Sequence, residues 1–269
     1  MTSFLDWGKR VAEKLARRLG YVVLPAWHNN IIIPPSQEYT FHAAKHLHRL
    51  FPRLGIDCVI DVGANAGQYC SFLREEVGYI GWIFSFEPNP SLARLLEDKS
   101  RHDPKWSVEG CALGGTPGRL KFNIMADSEF SSFLAPRHEE VMLFREKNRV
   151  QEQVEVDVKT LDMVVPKLQE RYGVKGIYLK LDTQGFDLEV LRGASNSLNQ
   201  INALQFEAAI RKIYDNMPRY DEVIKYCEHR GFIISGIFPN NQGHFPILVE
   251  FDCYLVRESV VLISEGDRQ

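Results

Sequence analysis

An apolar run that stops in a glycine turn, CVIDVGANAGQY from Cys58 to Tyr69, restricts this chain more than any other stretch. Buried strands of parallel sheets read as short continuous apolar runs, and a tight glycine turn lets a helix begin at once beyond the strand's carboxyl end. Four more runs repeat the pattern, GWIFSFE, KWSVEGCAL, GIYLKLD and NALQFEA, and helix-period segments such as PSLARLLEDKS and FDLEVLRGASNSL lie between most of them. Strand and helix in alternation predict an α/β fold, a parallel doubly wound sheet with helices on both faces, because parallel neighbours need a crossover. GFIISGIFP and VEFDCYLVR break the alternation. Only the turn-rich PNNQGHFPIL separates them, so they are expected to pair antiparallel as the last two strands.

The chain has 269 residues, enough for one sizeable α/β domain, and no internal repeat or long linker divides it. The expected organisation is an N-terminal helical extension over residues 1–52, for acceptor or subunit contacts, followed by a core domain over 53–269. In the extension, Phe4, Trp7, Val11, Leu15 and Leu19 recur at helical spacing with Lys9, Arg10, Lys14, Arg17 and Arg18 between them. Such a cationic amphipathic helix docks on its own domain or on a second subunit, as in a homodimer; peripheral contact with an anionic membrane is the second reading. The Pro pair in IIIPPSQEYT ends the extension, and Tyr39 to Phe51 reads as a helix. After a strand near Arg119 to Ile124, the polar segment ADSEFSSFLAPRHEEVMLFREKNR is long enough to be a functional or mobile loop, and it precedes the alternating strand VEVDV.

A formal charge of −3 offers no general basic field for a nucleic acid. The five cysteines are scattered and never spaced C-x-x-C, against a disulfide framework or structural zinc and in keeping with a reducing, cytoplasmic setting. No apolar run approaches the roughly 18 residues of a membrane span, and the N-terminus lacks a secretory pattern.

The glycine turn narrows the ligand. In a dinucleotide site the position of Asn65 is a glycine that makes room for a pyrophosphate, and no carboxylate stands where it would repel one. Here Asp61 ends the strand and Asn65 fills the turn between Gly63 and Gly67. That suits a ligand with a cationic end and no phosphates, such as S-adenosyl-L-methionine. Glu87 follows the turn by roughly 20 residues at a second strand end, from which an acid accepts ribose hydroxyl hydrogens, with Asn89 beside it. Cys111 and Ala112, at the third, are placed to flank the adenine.

The motifs VIDVGANAGQY, GYIGWIFSFEPNP, CALGG, SSFL, VKTLD, YLKLDTQGFDLEVLRGA, ALQFEAAI and EFDCYLVR, from about Cys58 to Arg257, resemble in order the FkbM family of S-adenosylmethionine-dependent methyltransferases. LKLDTQGFDLEVLRGA is the most specific of them. The resemblance implies a class I, Rossmann-like methyltransferase fold of seven strands, mostly parallel with the last antiparallel. It also implies O-methylation of a hydroxyl on a sugar, glycan, glycolipid or polyketide-type acceptor. The expected cofactor residues are Asp61, Gly63, Ala64, Asn65, Gly67, Gln68, Glu87, Pro88, Asn89, Cys111, Ala112 and Asp182; Ser131 and Ser132 match the family's Ser-rich stretch, with Ser132 added to the set.

A hydroxyl is a poor nucleophile until its proton is leaving, so the site needs a base or a metal near the oxygen. Asp182 and Glu207 end the fourth and fifth core strands, and Lys180 lies on the same strand face as Asp182, to orient it or to neutralise a developing alkoxide. Asp182 is expected nearest the reacting centre. The two carboxylates are also a chemically suitable pair for Mg²⁺, a divalent metal being the less favoured mechanism. Gln184 either contacts the acceptor or caps a helix. His42 and His46 are one helical turn apart without a local carboxylate to complete a metal set, and His244 sits in the loop before the last strand. Two other function classes stay open: an NAD(P)-dependent oxidoreductase, which prefers glycine at position 65, and a non-catalytic partner retaining the fold.

Overall fold

A computed structural model describes residues 11, 14–16, 18–19, 22–23, 32–33, 40–139, 142–239 and 246–266. Most of the N-terminal amphipathic segment and His244 fall outside these residues.

Seven strands form the central sheet: β1 (Cys58–Val62), β2 (Trp82–Phe86), β3 (Trp106–Glu109), β4 (Ile177–Leu181), β5 (Ile201–Ala209), β6 (Phe232–Phe238) and β7 (Glu250–Arg257). Their order is β6-β7-β5-β4-β1-β2-β3, with β1 to β5 parallel and β7 antiparallel to both its neighbours. This is the doubly wound sheet that the apolar runs predict, closed by the expected hairpin. The chain order reverses between β1 and β4, and such a switch point opens a crevice beyond the strands' carboxyl ends.

All residues of β1 are buried, as expected for a strand covered on both faces. Cys58, Ile60 and Val62 join one core cluster with Leu161, Val164, Val165 and Leu168 of helix α4 (Leu161–Tyr172), Val190 of α5 (Asp187–Arg192) and Val223 of α6 (Tyr220–Glu228). Val59, on the other face, packs with α1 (Phe41–Leu54) and with α2 (Gln68–Phe72), whose π-helical continuation spans Leu73–Val77. Helices α3 (Pro90–Ser100) and α7 (Glu258–Gly266) follow β2 and β7.

One expectation is corrected. KWSVEGCAL is not one strand: β3 ends at Glu109, where the Cys111 N–H turns back to the Glu109 carbonyl at 2.9 Å. Ala112–Leu113 then pairs parallel with Val150–Lys159, which also pairs antiparallel with Gly118–Met125 in a second, three-stranded sheet. The long polar segment, expected to be a functional or mobile loop, packs against the domain. It returns onto this sheet through paired backbone bonds between Asn123 and Ser132, and Phe144 is buried with Met125, Ile213, Tyr214 and Met217. Helix α1 runs across residue 52 and buries Leu47, Phe51 and Leu54 in the core of the sheet domain.

Candidate functional site

At the switch point lies a cleft of about 860 Å³. Its floor is the turn after β1. Gly63 and Gly67 take positive φ angles of 79° and 89°, and Asn65 joins them at 47°. Asparagine is among the few residues that accept the left-handed region without glycine's freedom, so Asn65 keeps the turn's shape while adding a side chain. That side chain is used: Ser128 Oγ donates to Asn65 Oδ1 at 3.1 Å, tying the turn to the long segment.

Glu87, directly after β2, is buried at the cleft wall. Its Oε2 accepts from Asn65 N–H at 2.7 Å and its Oε1 from Asn89 N–H at 2.8 Å. Burial pushes its carboxyl up to about 7 against the pull of those two donors. Each oxygen keeps a second acceptor direction, so the group can still take ribose O–H bonds. Asn89 faces elsewhere: its Oδ1 accepts from Ser91 N–H at 3.0 Å and caps α3.

Asp61 is 0% exposed and lies behind the cleft wall, not on it. It is the penultimate residue of β1 and sits beside Lys180 in the β1–β4 register. Lys180 Nζ pairs with Asp61 at 3.1 Å and with Asp182 at 3.3 Å, and donates to the Gly63 carbonyl at 3.1 Å. Ser85 Oγ donates to Asp61 at 3.1 Å. Burial lowers the lysine's proton affinity, but Asp182 and Asp61 outweigh it and hold its pKa above the ordinary value. The carboxylate expected beside a cationic ligand end thus lies one layer behind the cleft lining. The buried Asp61 carboxylate is matched by the Lys180 ammonium.

Asp182 follows β4 directly, lines the cleft and leaves 40% of its side chain exposed. Gln184, two residues on, has φ 51°, an uncommon angle for a residue of its kind and one that persists only where the surroundings enforce it. Its Nε2 donates to Asp182 Oδ1 at 3.2 Å and to Glu207 Oε2 at 2.9 Å. Tyr214 O–H lies 3.0 Å from its Oε1, and Ser132 Oγ donates to its backbone carbonyl at 2.8 Å. Gln184 thus bridges two carboxylates and lines the cleft, and it does not cap the following helix. Gly185 after it has φ 90° and packs on Met217 and Leu134.

Glu207 is not at the end of β5, which continues to Ala209; it lies just past Phe206, where pairing with β4 stops. It faces Asp252 of β7 across the antiparallel register. Burial, then the neighbouring Glu250, Asp182 and Asp252 carboxylates, hold Glu207 well above the carboxylate range. Burial and Asp182 push Asp252 up to about 7.

Of the expected residues, the turn from Gly63 to Gln68 lines the cleft, as do Glu87, Pro88 and Ala112. Lys180, Asp182, Glu207 and Ser131 line it too. Asp61, Asn89, Cys111 and Ser132 stand behind this lining; burial pushes the Cys111 thiol up to about 12. Sequence reasoning missed Tyr69, Gln205, Glu250 and Asp252. Tyr69 and Tyr178 both donate to Gln205 Oε1, at 2.8 and 2.9 Å. The available signal was polar residues two apart inside apolar strands, Gln205 with Glu207 and Glu250 with Asp252. Among the described residues no group of three or more His, Cys, Asp or Glu is arranged to hold a metal ion. No helix among them is long and apolar enough to cross a membrane.

The family model for the methyltransferase FkbM domain matches residues 61–234. Among curated proteins, the hexuronic acid methyltransferase AglP of Haloferax volcanii is 26% identical over 187 residues, covering 66% of this chain and 70% of that protein. Among solved structures, methyltransferase FkbM from Methylobacillus flagellatus aligns at TM-score 0.46 and 15% identity, over 74% of this chain but only 43% of its own. A SAM-dependent methyltransferase from Aquifex aeolicus aligns at TM-score 0.41 and 13% identity, over 83% of this chain and 93% of its own.

Proposed function

The chain belongs to the FkbM family of S-adenosylmethionine-dependent methyltransferases, and from that premise we propose that it methylates a hydroxyl of a sugar or glycan acceptor. The observation that carries this reading is the carboxylate pair Asp182 and Glu207, bridged by Gln184 beside the glycine turn.

The residues present fit the cofactor. Gly63 and Gly67 bring bare backbone to the cleft floor, and Glu87 offers a buried carboxylate to the ribose hydroxyls. S-adenosyl-L-methionine supplies, when bound, a methyl group on a sulfonium leaving group. The chain's own work is then to hold the acceptor oxygen in line and to remove its proton. Asp182 is the half-exposed carboxylate placed to receive that proton, with Lys180 behind it. Glu207, whose proton affinity is raised by burial and by its acidic neighbours, is the second carboxyl on the cleft wall and is held beside Asp182 by Gln184. Walls bearing Asp182, Glu207, Glu250 and Asp252 favour a neutral hydroxyl over a carboxylate as the group methylated. The name of the haloarchaeal relative supports a carbohydrate acceptor. Thr40 and Ala43 line the same cleft, which supports a role in acceptor contact for the segment up to residue 52.

Calorimetric titration tests the reading. S-adenosyl-L-methionine and its demethylated product are expected to bind, and NADH is not. Glu87→Gln is expected to weaken both by about 1.5 to 3 kcal/mol, the loss of hydrogen bonds to a charged acceptor. Because the ionised carboxylate accepts the ribose hydrogens, wild-type affinity is full above about pH 7 and falls below it; the variant loses that dependence. Binding of NADH alone would replace the methyltransferase reading with an oxidoreductase. Binding of the cofactor without methyl incorporation into any hydroxylated glycan would favour a non-catalytic partner.

Gln184→Glu tests the bridge. It replaces a two-proton donor by a third carboxylate between two others. Turnover is expected to drop about a hundredfold near pH 8, because both hydrogen bonds that hold the two carboxyl groups are lost. It should recover in part as pH falls and the new carboxyl regains a proton to donate. A pH profile parallel to wild type would detach Gln184 from the chemistry.

A further inference from the structure

Helix α1 has two unlike faces. Ala43, Ala44, Leu47, Leu50, Phe51 and Leu54 are buried against the domain. The opposite face carries His42, Lys45, His46, Arg49 and Arg53 at helical spacing, over about 17 Å of helix at 1.5 Å per residue. Together with Leu50 and Phe238 of β6 they line a second hollow of about 550 Å³.

This hollow shares a wall with the methyl-transfer cleft. Phe238 lines both, and Thr40 and Ala43, at the start of α1, line the cleft. His46 ties the two together: its ring packs at 5.5 Å on both Phe238 and Tyr254, and its Nε2 lies 3.1 Å from Ser235 Oγ. Lys45 and Arg49 carry no ion pair among the described residues. Lys45 and Arg49, two cations one helical turn apart that no described carboxylate pairs, form an anion-binding surface in a chain of net charge −3.

The neighbouring cleft says how that anion is attached. The cleft is lined by acidic side chains, with Asp182 half exposed among them, and disfavours a phosphate, whereas the basic hollow beside it attracts one. We infer that the basic face of α1 holds a phosphate or diphosphate ester carried by the acceptor, anchoring its charged end on Lys45 and Arg49 while its hydroxyl enters the acidic cleft. Opposite charges on the two sides of Phe238 then fix which end of the acceptor enters. The second half of this inference rests on the methyl-transfer reading; the anion site itself does not. A nucleotide-linked sugar and a lipid-linked one both supply the required group.

The test uses the full chain and a Lys45→Glu/Arg49→Glu variant. Inorganic pyrophosphate is titrated calorimetrically, and S-adenosyl-L-methionine binding serves as the folding control, since neither residue lines the cleft. Pyrophosphate is expected to bind wild type, more weakly as salt rises, and the variant at least about tenfold less tightly. UDP-glucose binding that is lost in the variant identifies the nucleotide source. Sedimentation with phosphatidylcholine vesicles containing phosphatidic acid, lost in the variant, identifies the lipid source. Pyrophosphate that fails to bind, or that binds the variant as tightly as wild type, overturns the site. Should the double reversal lose the control binding, Arg49→Gln alone is compared on the same terms, with at least about a threefold loss expected.

Discussion

Asp182→Asn is expected to lower the turnover number for methyl transfer by about 10²- to 10⁴-fold, the range for removal of a positioned general base, while the cofactor dissociation constant stays within about threefold of wild type. The substitution preserves shape and removes only basicity. The Asn side-chain carbonyl can still accept from Gln184 Nε2, as Asp182 Oδ1 does at 3.2 Å. Lys180 keeps its fully buried partner Asp61, so no charge is stranded in the core. Asp182 itself is half exposed, which keeps the stability cost small. Rapid-quench measurement of a single turnover separates chemistry from product release. A loss confined to that step assigns the proton to Asp182. A matching loss of cofactor affinity would instead make Asp182 a ligand of the cofactor's methionyl end and leave the base to another group.

The sheet was legible because its strands are buried on both faces and so write themselves as unbroken apolar runs, and the closing hairpin because its turn-rich connection is short. What escaped was whatever depends on register between strands. Nothing local says that Asp61 lies beside Lys180, yet that pairing is what matches its buried carboxylate behind the cleft lining. The same holds for Glu207 opposite Asp252, which converts a lone carboxylate into one of an interacting group with raised proton affinity. KWSVEGCAL divided because Ala112 found a partner in Val158, far along the chain, instead of extending β3. Asn65 was recognised as a departure from a dinucleotide turn, but its left-handed backbone, which lets it stand among glycines, is conformational information that composition does not hold. The histidines of α1 drew attention as a metal pair, while Lys45 and Arg49 on the same face carry the more consequential pattern.

Gly63→Ala is expected to be the most damaging substitution of a single methyl group in the site. Its φ of 79° alone costs an L-residue about 1 to 2 kcal/mol. The added Cβ would also lie 1.9 Å from the Asp182 carbonyl oxygen, a backbone atom that cannot swing aside. The Asp182 N–H donates to the Val62 carbonyl at 3.0 Å, so relieving the clash means parting the carboxyl ends of β1 and β4 where that bond ties them. The same movement displaces the Gly63 carbonyl from Lys180 and carries Asp182 with it. A total of about 3 kcal/mol or more follows, lowering Tm by roughly 10 °C in a domain of this size. Cofactor binding should disappear even where the protein remains folded. Gly55→Ala supplies the comparison: its φ of 61° imposes a similar backbone penalty, but nothing lies within 4 Å of the added carbon. Scanning calorimetry of the two variants therefore separates conformational strain from contact. If Gly63→Ala melts no lower than Gly55→Ala, β1 and β4 do not meet closely at this turn, and the shared placement of Lys180, Asp182 and the turn that follows from it fails as well.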